Sequence, residues 1–198
     1  MIKNIIFDIG NVLSKFNYEE HFRKFASQED IYQRLINATI FNPIWNELDR
    51  GVLAEEEILA EFIQKDPGIS DEIQDMFQHM TGIVKEYDYA TEWIEELKSR
   101  GYRVLVLSNF SKLVYEMNRE ELKFLKVVDG GILSYKEKLI KPDAAIYQLL
   151  MQQYQLVPEE CVFLDDREEN ITAAKALGWS GILFTTKEKA VEELDRIL

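Results

Sequence analysis

Short apolar runs and amphipathic segments alternate along most of the chain. Ile5–Phe7, Val104–Leu107 and Val162–Leu164 are apolar without interruption, which is typical of strands buried on both faces of a sheet. Weaker strand patterns cover residues 127–133 and 181–184. Helical spacing of apolar residues covers residues 91–100, 144–153, 170–177 and 188–197. Strands that alternate with helices predict an α/β fold with a doubly wound parallel sheet.

A different pattern covers residues 15–86, where apolar residues recur at helical spacing and no strand pattern is visible. Breaks in this pattern fall at residues 42–43, 50–51 and 66–68, where Pro or Gly occurs. We therefore predict a helical cap domain at residues 15–86, inserted after the first strand. Residues 1–14 and 87–198 are predicted to form the α/β core domain.

The composition narrows the class of protein. Of the 198 residues, 46% are hydrophobic, so the chain can bury a sizeable core. Its net charge of −13 disfavours nucleic acid and anionic membranes, and we expect neither as a partner. With one cysteine, no run of 18 apolar residues and no charged-then-apolar leader, a cytoplasmic protein is expected. These numbers do not distinguish a monomer from a homodimer.

Polar side chains follow three of the predicted strands. Asp8 follows the first, Ser108 and Asn109 follow the second, and the pair Asp165-Asp166 ends the third. Ligands bind at the carboxyl ends of strands in an open parallel sheet, so these side chains are expected to share one crevice. Carboxylates that converge there would repel each other unless a cation lies between them. Ligand sets made of oxygen alone favour Mg²⁺ as that cation.

A lysine completes the candidate chemistry. Lys141 precedes Pro142, which favours an extended backbone, and its ammonium could contact both Asp8 and a phosphate. Lys138 is the nearby rival. A carboxylate, a hydroxyl, an ammonium and a carboxylate pair are the groups that magnesium-dependent phosphoryl transfer through an aspartyl intermediate requires.

Several assignments stay open from the residues alone. Ser108 could bind phosphate or cap the helix that begins near Ser111. Asn170 could face the metal site or cap its own helix. Trp45, Asp49 and Arg50 could reach the crevice, and Trp45 could instead belong to the cap core. No Ser-His-Asp triad, histidine-based metal site or dinucleotide-binding glycine motif can be assigned.

Three local motifs carry a family resemblance. They are Phe7-Asp8-Ile9-Gly10-Asn11-Val12, Trp45-Asn46-Glu47-Leu48-Asp49-Arg50-Gly51 and Lys141-Pro142-Asp143-Ala144-Ala145-Ile146-Tyr147. With the Asp165-Asp166 pair, the chain resembles the haloacid dehalogenase-like hydrolase superfamily over essentially its full length. Within it, the chain is most similar to α-D-glucose-1-phosphate phosphatase and to the phosphatase domain of soluble epoxide hydrolase.

The resemblance implies a mechanism. Asp8 would be the nucleophile that forms an aspartyl-phosphate, with Ser108 and Lys141 as the other catalytic residues. Mg²⁺ would be held by Asp8, the carbonyl of Gly10 and Asp166, with Asp165 in support. The expected activity is hydrolysis of a small phosphomonoester, with a sugar phosphate as the predicted substrate. The predicted substrate-binding residues are Ser108, Asn109, Lys141, Asn11, Trp45 and Arg50.

Gly10 departs from the usual family pattern, which places a second Asp two residues after the nucleophile as a general acid. The leaving oxygen would then depart as an anion, or take a proton from water or from a cap residue. A glycine here could also serve a backbone with positive φ. Two alternatives follow from the missing acid: a non-catalytic member that binds phosphate or a partner, and a dehalogenase-type hydrolase.

Overall fold

A computed structural model describes all 198 residues of the chain. Its strands are β1 (Asn4–Phe7), β2 (Ser14–Phe16), β3 (Val84–Glu86), β4 (Arg103–Ser108), β5 (Gly131–Leu133), β6 (Cys161–Asp165) and β7 (Ser180–Leu183). Five of them form a parallel sheet in the order β5-β4-β1-β6-β7, and β2 pairs with β3 in a separate antiparallel ribbon. The central position of β1 places the residue after it between two neighbouring strand ends.

The chain forms eleven α-helices. They are α1 (Tyr18–Arg23), α2 (Glu29–Ala38), α3 (Ile44–Arg50), α4 (Glu55–Lys65), α5 (Ser70–Gln78), α6 (Ala90–Ser99), α7 (Lys112–Asn118), α8 (Ser134–Glu137), α9 (Ala144–Tyr154), α10 (Glu168–Ala176) and α11 (Lys187–Ile197). None of them combines the length and the apolar character that crossing a membrane requires.

Both faces of the parallel sheet are covered by helices. Successive side chains of a strand point to opposite faces, and on β1 Ile5 and Phe7 join one buried cluster whereas Ile6 joins the other. The first cluster includes residues of α6 and α11, and the second includes residues of α9 and α10. The predicted doubly wound α/β fold is therefore confirmed.

The residues between β2 and β3 hold α1 to α5, and we call residues 15–86 the cap segment. The helical spacing predicted helices alone here, which was wrong at the two ends, where β2 and β3 pair with Lys15 opposite Lys85. Three residues are too few for an alternating pattern to be visible. Side chains of the cap segment, such as Phe22 and Phe62, belong to the same cluster of 40 buried residues as Phe7.

The edge strand β5 is shorter than predicted and occupies only the end of residues 127–133. Val127 and Val128 are not in a strand, because they follow a short 3₁₀ turn, and the strand begins at Gly131. A Cβ at Gly131 would lie 2.2 Å from the carbonyl oxygen of Val106 on β4. Only glycine allows the backbone to approach its neighbour so closely at a φ of +147°.

Candidate active site

The carboxyl ends of three adjacent strands bring the predicted polar residues together. Asp8 follows β1, and Ser108 and Asp165 end the neighbouring strands β4 and β6. All three side chains are buried. The backbone N–H of Asp8 donates to the Leu164 carbonyl at 2.9 Å, which holds Asp8 beside Asp165. The hydroxyl that caps α7 belongs to Ser111, whose Oγ accepts from the backbone N–H of Val114.

Lys141 is a buried ammonium between two carboxylates. Its Nζ lies 2.8 Å from Asp8 Oδ1 as an ion pair and donates to Asp165 Oδ2 at 2.6 Å. The rival Lys138 is exposed and donates to the backbone carbonyl of Gly51 instead. Burial lowers the pKa of Lys141, but the two carboxylates outweigh this effect and raise the pKa above its ordinary value. Lys141 therefore stays charged near neutral pH.

Two asparagines that were predicted to bind substrate hold charged groups in position. Asn109 Oδ1 accepts from the backbone N–H of Lys141 at 2.8 Å, and its Nδ2 donates to the Lys141 carbonyl at 3.0 Å. Asn11 Nδ2 donates to Asp166 Oδ2 at 2.9 Å, and its Oδ1 accepts from the backbone of Phe16 at 3.4 Å. These bonds orient Lys141 and Asp166, and both asparagines also line the cavity described below, so their contact with substrate stays a prediction.

The two adjacent acids have different surroundings. Asp165 Oδ2 accepts from Lys141, its Oδ1 accepts from the Arg167 backbone at 2.8 Å, and Asn170 Nδ2 lies 3.0 Å from both oxygens. Asp166 is only partly buried and lines the cavity described below. Asn170 therefore faces the acid pair, and the oxygens of Asp166 are the ones left for a ligand.

Three carboxylates converge at this edge of the sheet. Ligand atoms of Asp8, Asp165 and Asp166 all lie within 4.8 Å of one another. Burial raises the pKa of Asp8 to about 6, with Lys141 acting against this and Asp165 adding to it. Burial also raises the pKa of Asp166. Asp8 Oδ1 is buried without an aligned hydrogen bond. An oxygen-only donor set of three converging carboxylates fits a hard cation such as Mg²⁺.

A cavity of about 250 Å³ opens above these groups. One side, the sheet wall, is formed by residues that follow the strands and their connections, namely Asp8, Gly10, Asn11, Ser108, Asn109, Phe110, Ser111, Val114, Lys141, Asp166, Arg167 and Asn170, with Ser14 beside them. The other side, the cap wall, is formed by Phe16, Ile40, Trp45, Asn46, Asp49 and Val84. The cavity is therefore bounded by both parts of the chain.

Gly10 lines this cavity without a steric need for glycine. A Cβ built there would have no neighbour within 4 Å, and its φ is outside the left-handed region. The expectation that a positive φ could explain this glycine is therefore wrong. The backbone would accept a side chain at this position, and nothing in the structure explains why none is present.

Trp45 lies at the boundary between the cavity and the cap interior. It lines the cavity, and its ring packs against Phe16, Phe22 and Phe62. Trp45 therefore both reaches the cavity and belongs to the cap core, and its side chain is 8% exposed. Its packing would hold the ring in place as a flat surface of the cap wall.

Arg50 differs from the prediction that it binds substrate. It is not among the residues that line the cavity. Its guanidinium lies 3.3 Å from Glu47 on its own helix and 3.4 Å from Asp143 at the start of α9. The ion pairs with these two carboxylates explain why the guanidinium lies outside the cavity. The pair with Asp143 links α3 to the core.

Sequence reasoning missed most of the remaining lining residues. The apolar ones, such as Ile40 and Val84, have spacings that also fit a packed interior, so no signal distinguished them. Asn46 could have been found, because residues three apart on a helix share one face and Asp49 was already expected to reach the crevice. Arg167 had no signal beyond its place directly after the acid pair.

Two relatives of known name cover nearly the whole chain. "Sesquiterpene phosphatase astK" of Aspergillus oryzae is 27% identical over 197 residues, which are 99% of this chain and 96% of that protein. "D-ribitol-5-phosphate phosphatase" of Bacteroides thetaiotaomicron is 27% identical over 188 residues, with 90% of each chain covered.

A solved structure has the same fold. The enzyme bt-2542 from Bacteroides thetaiotaomicron, in complex with magnesium and inorganic phosphate, superposes with a TM-score of 0.69 at 20% identity. The match covers 94% of this chain and 96% of that one. A model of the family described as haloacid dehalogenase-like hydrolase matches residues 2–178. With its sheet topology and strand-end carboxylates, this chain belongs to the haloacid dehalogenase-like hydrolases.

Proposed function

We propose that this chain is a magnesium-dependent phosphatase that hydrolyses small phosphate monoesters through a phosphorylated Asp8. The observation that carries the proposal is one cavity that contains a buried strand-end carboxylate, a buried ammonium and a second, accessible carboxylate: Asp8, Lys141 and Asp166. Each group has a role in phosphoryl transfer, and two relatives named as phosphatases cover nearly the whole chain.

Asp8 is the proposed nucleophile. One of its oxygens attacks the phosphorus of the substrate, the bond from phosphorus to the ester oxygen breaks, and an aspartyl-phosphate results. The transferring group carries negative charge on its equatorial oxygens. Lys141 Nζ, already 2.8 Å from Asp8, and the buried hydroxyl of Ser108 are placed to bind those oxygens. Lys141 also favours the ionised form of Asp8, which is the form that reacts.

Asp8, Asp166 and the carbonyl of Gly10 are the proposed magnesium ligands. Asp165 is their support, because its oxygens already accept hydrogen bonds from Lys141, Arg167 and Asn170. Bound magnesium would supply positive charge to the phosphate and to the carboxylates. This assignment agrees with the donor chemistry of the site and with the magnesium and phosphate bound in the structurally similar enzyme bt-2542.

The cap segment, residues 15–86, is the proposed source of substrate recognition. Trp45 offers a flat ring and Asn46 a polar amide toward the cavity. A sugar phosphate needs hydrogen-bonding groups and often a ring to pack on, so it remains the proposed substrate class. A cavity of about 250 Å³ limits the substrate to a small molecule.

A phosphorylated apolar alcohol is the second candidate substrate. Six hydrophobic residues line the cavity, and the four on the cap wall are Phe16, Ile40, Trp45 and Val84. Apolar surface of this kind would favour a hydrocarbon group over a sugar. The name of the Aspergillus oryzae relative, a sesquiterpene phosphatase, indicates a substrate of this class for that protein.

The two other activities fit the site less well. A dehalogenase-type hydrolase does not use a magnesium site, whereas Asp166 lies accessible beside Asp8. A non-catalytic phosphate-binding protein would not need the buried pairing of Lys141 with two carboxylates, which costs desolvation free energy.

A substrate screen tests the proposal. Phosphate release from sugar phosphates, prenyl phosphates and an aryl phosphate is measured with Mg²⁺ and with EDTA, next to halide release from 2-haloacids. We expect magnesium-dependent phosphate release and no halide. Halide release that is independent of magnesium would favour a dehalogenase, and no turnover of any substrate would favour the non-catalytic protein.

A further inference from the structure

Asp49 is a carboxyl group of the cavity that the proposed chemistry does not yet use. Three acids line the cavity: Asp8, Asp49 and Asp166. Asp8 is paired with Lys141, and Asp166 accepts from Asn11. The carboxylate of Asp49, the only one on the cap wall, takes part in no hydrogen bond or ion pair, so its oxygens are free to meet a substrate.

The position of Asp49 is fixed relative to the sheet. Its backbone carbonyl accepts from Ser134 Oγ at 2.6 Å, and the same Oγ accepts from the backbone N–H of Phe110 at 2.8 Å. Phe110 lies two residues after Ser108. A short chain of hydrogen bonds thus connects the end of α3 to the end of β4, with Ser134 completely buried at its centre.

Further contacts clamp the same end of α3. Lys138 donates to the Gly51 carbonyl, and Arg50 pairs with Asp143. A Cβ at Gly51 would lie 3.1 Å from Tyr135, so the helix end approaches the core closely. These contacts on both sides of Asp49 hold its side chain over the cavity.

The surroundings of Asp49 raise the pKa of its carboxyl to the range near neutral pH, where both its protonated and its ionised form are present. Burial raises its pKa to about 7, and the negative charge of Asp8 adds to the effect. Lys141 and Arg167 are the positive groups that face it, and they act in the opposite direction. Asp166, which lines the same cavity, accepts from Asn11, and Glu47 and Asp143 are both paired with Arg50.

We propose that Asp49 is the general acid and base of this site and replaces the acid that Gly10 cannot supply. In the first step Asp8 bonds to phosphorus while Asp49 gives its proton to the ester oxygen, which leaves as the neutral alcohol. In the second step water attacks phosphorus and passes a proton to the Asp49 carboxylate. The bond from phosphorus to Asp8 breaks, inorganic phosphate leaves, and both aspartates return to their starting forms.

This inference rests on the proposed phosphatase function and deepens it. The leaving group enters from the cap side, because the phosphate is bound by the sheet wall, and Asp49 lies on the cap wall. Gly10 has no side chain, and the space where one would lie is open. The site therefore needs no general acid at position 10 if Asp49 serves in that role. General acid assistance typically contributes about 10²–10⁴-fold.

Leaving-group dependence separates proton donation from a structural role. We compare kcat/KM for 4-nitrophenyl phosphate, whose alcohol is acidic, with kcat/KM for an alkyl phosphate, in wild type and in Asp49→Asn. The variant should lose about 10²–10³-fold on the alkyl phosphate and less than about threefold on the aryl phosphate. Glu47→Gln, the same chemical change on the same helix outside the cavity, should leave the ratio of the two values at the wild-type level.

A pre-steady-state measurement tests the second step. With 4-nitrophenyl phosphate, Asp49→Asn should release a burst of nitrophenolate close to one per enzyme, because hydrolysis of phosphorylated Asp8 becomes slow. Equal loss on both substrates, or the absence of a burst with an unchanged steady-state rate, would overturn the role of Asp49 and leave the proposed function intact. A wild type that hydrolyses neither ester would overturn the proposed function and this role together.

Discussion

The sheet wall and the cap wall of the cavity are built in different ways. On the sheet wall nearly every charged group has a partner: Lys141 holds Asp8 and Asp165, and Asn11 holds Asp166. The cap wall is mostly apolar, and its single acid, Asp49, has no partner. The sheet wall is therefore organised before a ligand binds, whereas the cap wall offers the ligand an apolar surface and one carboxyl group without a partner.

Removal of the proposed nucleophile should have the largest effect. Asp8→Asn is nearly isosteric and keeps a partner for Lys141, so we expect it to fold while turnover falls by more than about 10³-fold. Steady-state hydrolysis of an aryl phosphate and a thermal melt measure the two properties. A variant that kept more than a few per cent of the wild-type rate would contradict the covalent role of Asp8.

Loss of the central ammonium should damage stability as well as activity. Lys141→Met leaves Asp8 and Asp165 buried without their cation, which costs about 3–5 kcal/mol. For a chain of this size that corresponds to a fall in Tm of roughly 10 °C or more. The exposed Lys138 is the control, and Lys138→Met should lower Tm by much less. Similar melting temperatures for the two variants would mean that the sheet wall is not organised by Lys141.

The response to magnesium should depend on Asp166. Mg²⁺ at about 100 times its Kd stabilises a folded protein by about 2.7 kcal/mol, and Asp166→Ala should abolish most of the resulting rise in Tm. Without metal, the variant should melt no lower than wild type, because one of the converging carboxylates is gone. Glu168→Ala removes an exposed acid two residues away and should keep the full rise. An unchanged rise in Asp166→Ala would place the metal elsewhere.

The unpartnered acid of the cap wall should make the metal-free protein less stable as pH rises. The pKa values of Asp8 and Asp49 are raised to about 6 and 7, so the folded state binds more protons than the unfolded state above pH 4. Stability should therefore be higher at pH 5 and decline as pH rises to 8. Melts in EDTA measure this, and Asp49→Asn should flatten the decline more than Glu47→Gln does. Equal slopes would mean that total charge alone sets the pH dependence.

The smallest effect is expected at Gly10. A side chain there meets open space at an unstrained φ, so Gly10→Asp should change the metal-free Tm by only a few degrees. A fall of roughly 10 °C would show that the loop after β1 needs glycine after all.

The sheet wall was largely predictable and the cap wall was not. Apolar runs identify central strands, and polar residues just after them must meet at one edge of a parallel sheet. That rule located Asp8, Ser108 and Asp166 without any long-range information. Lys141 follows no strand, and only the neighbouring Pro142 and the family resemblance favoured it over Lys138.

The cap wall depends on how one helix docks, and local patterns do not contain that information. Helical spacing indicates that α3 has an apolar face, but it does not tell which residues face the sheet. Arg50 was therefore expected at the substrate, whereas Asp143, distant in sequence, holds it outside the cavity. The three-residue strands β2 and β3 were missed because they are shorter than any pattern that could reveal them.

The clamp at the end of α3 has a consequence for how this enzyme could diversify. The core grips α3 through the main-chain carbonyls of Asp49 and Gly51, which every amino acid possesses. The exposed side chain at position 46 can therefore be exchanged while the helix stays docked. Gly51 is the exception, because its φ of +69° and its closeness to Tyr135 exclude a larger residue. Mutational drift can thus retune what the cavity accepts, while natural selection on folding keeps the helix end in place.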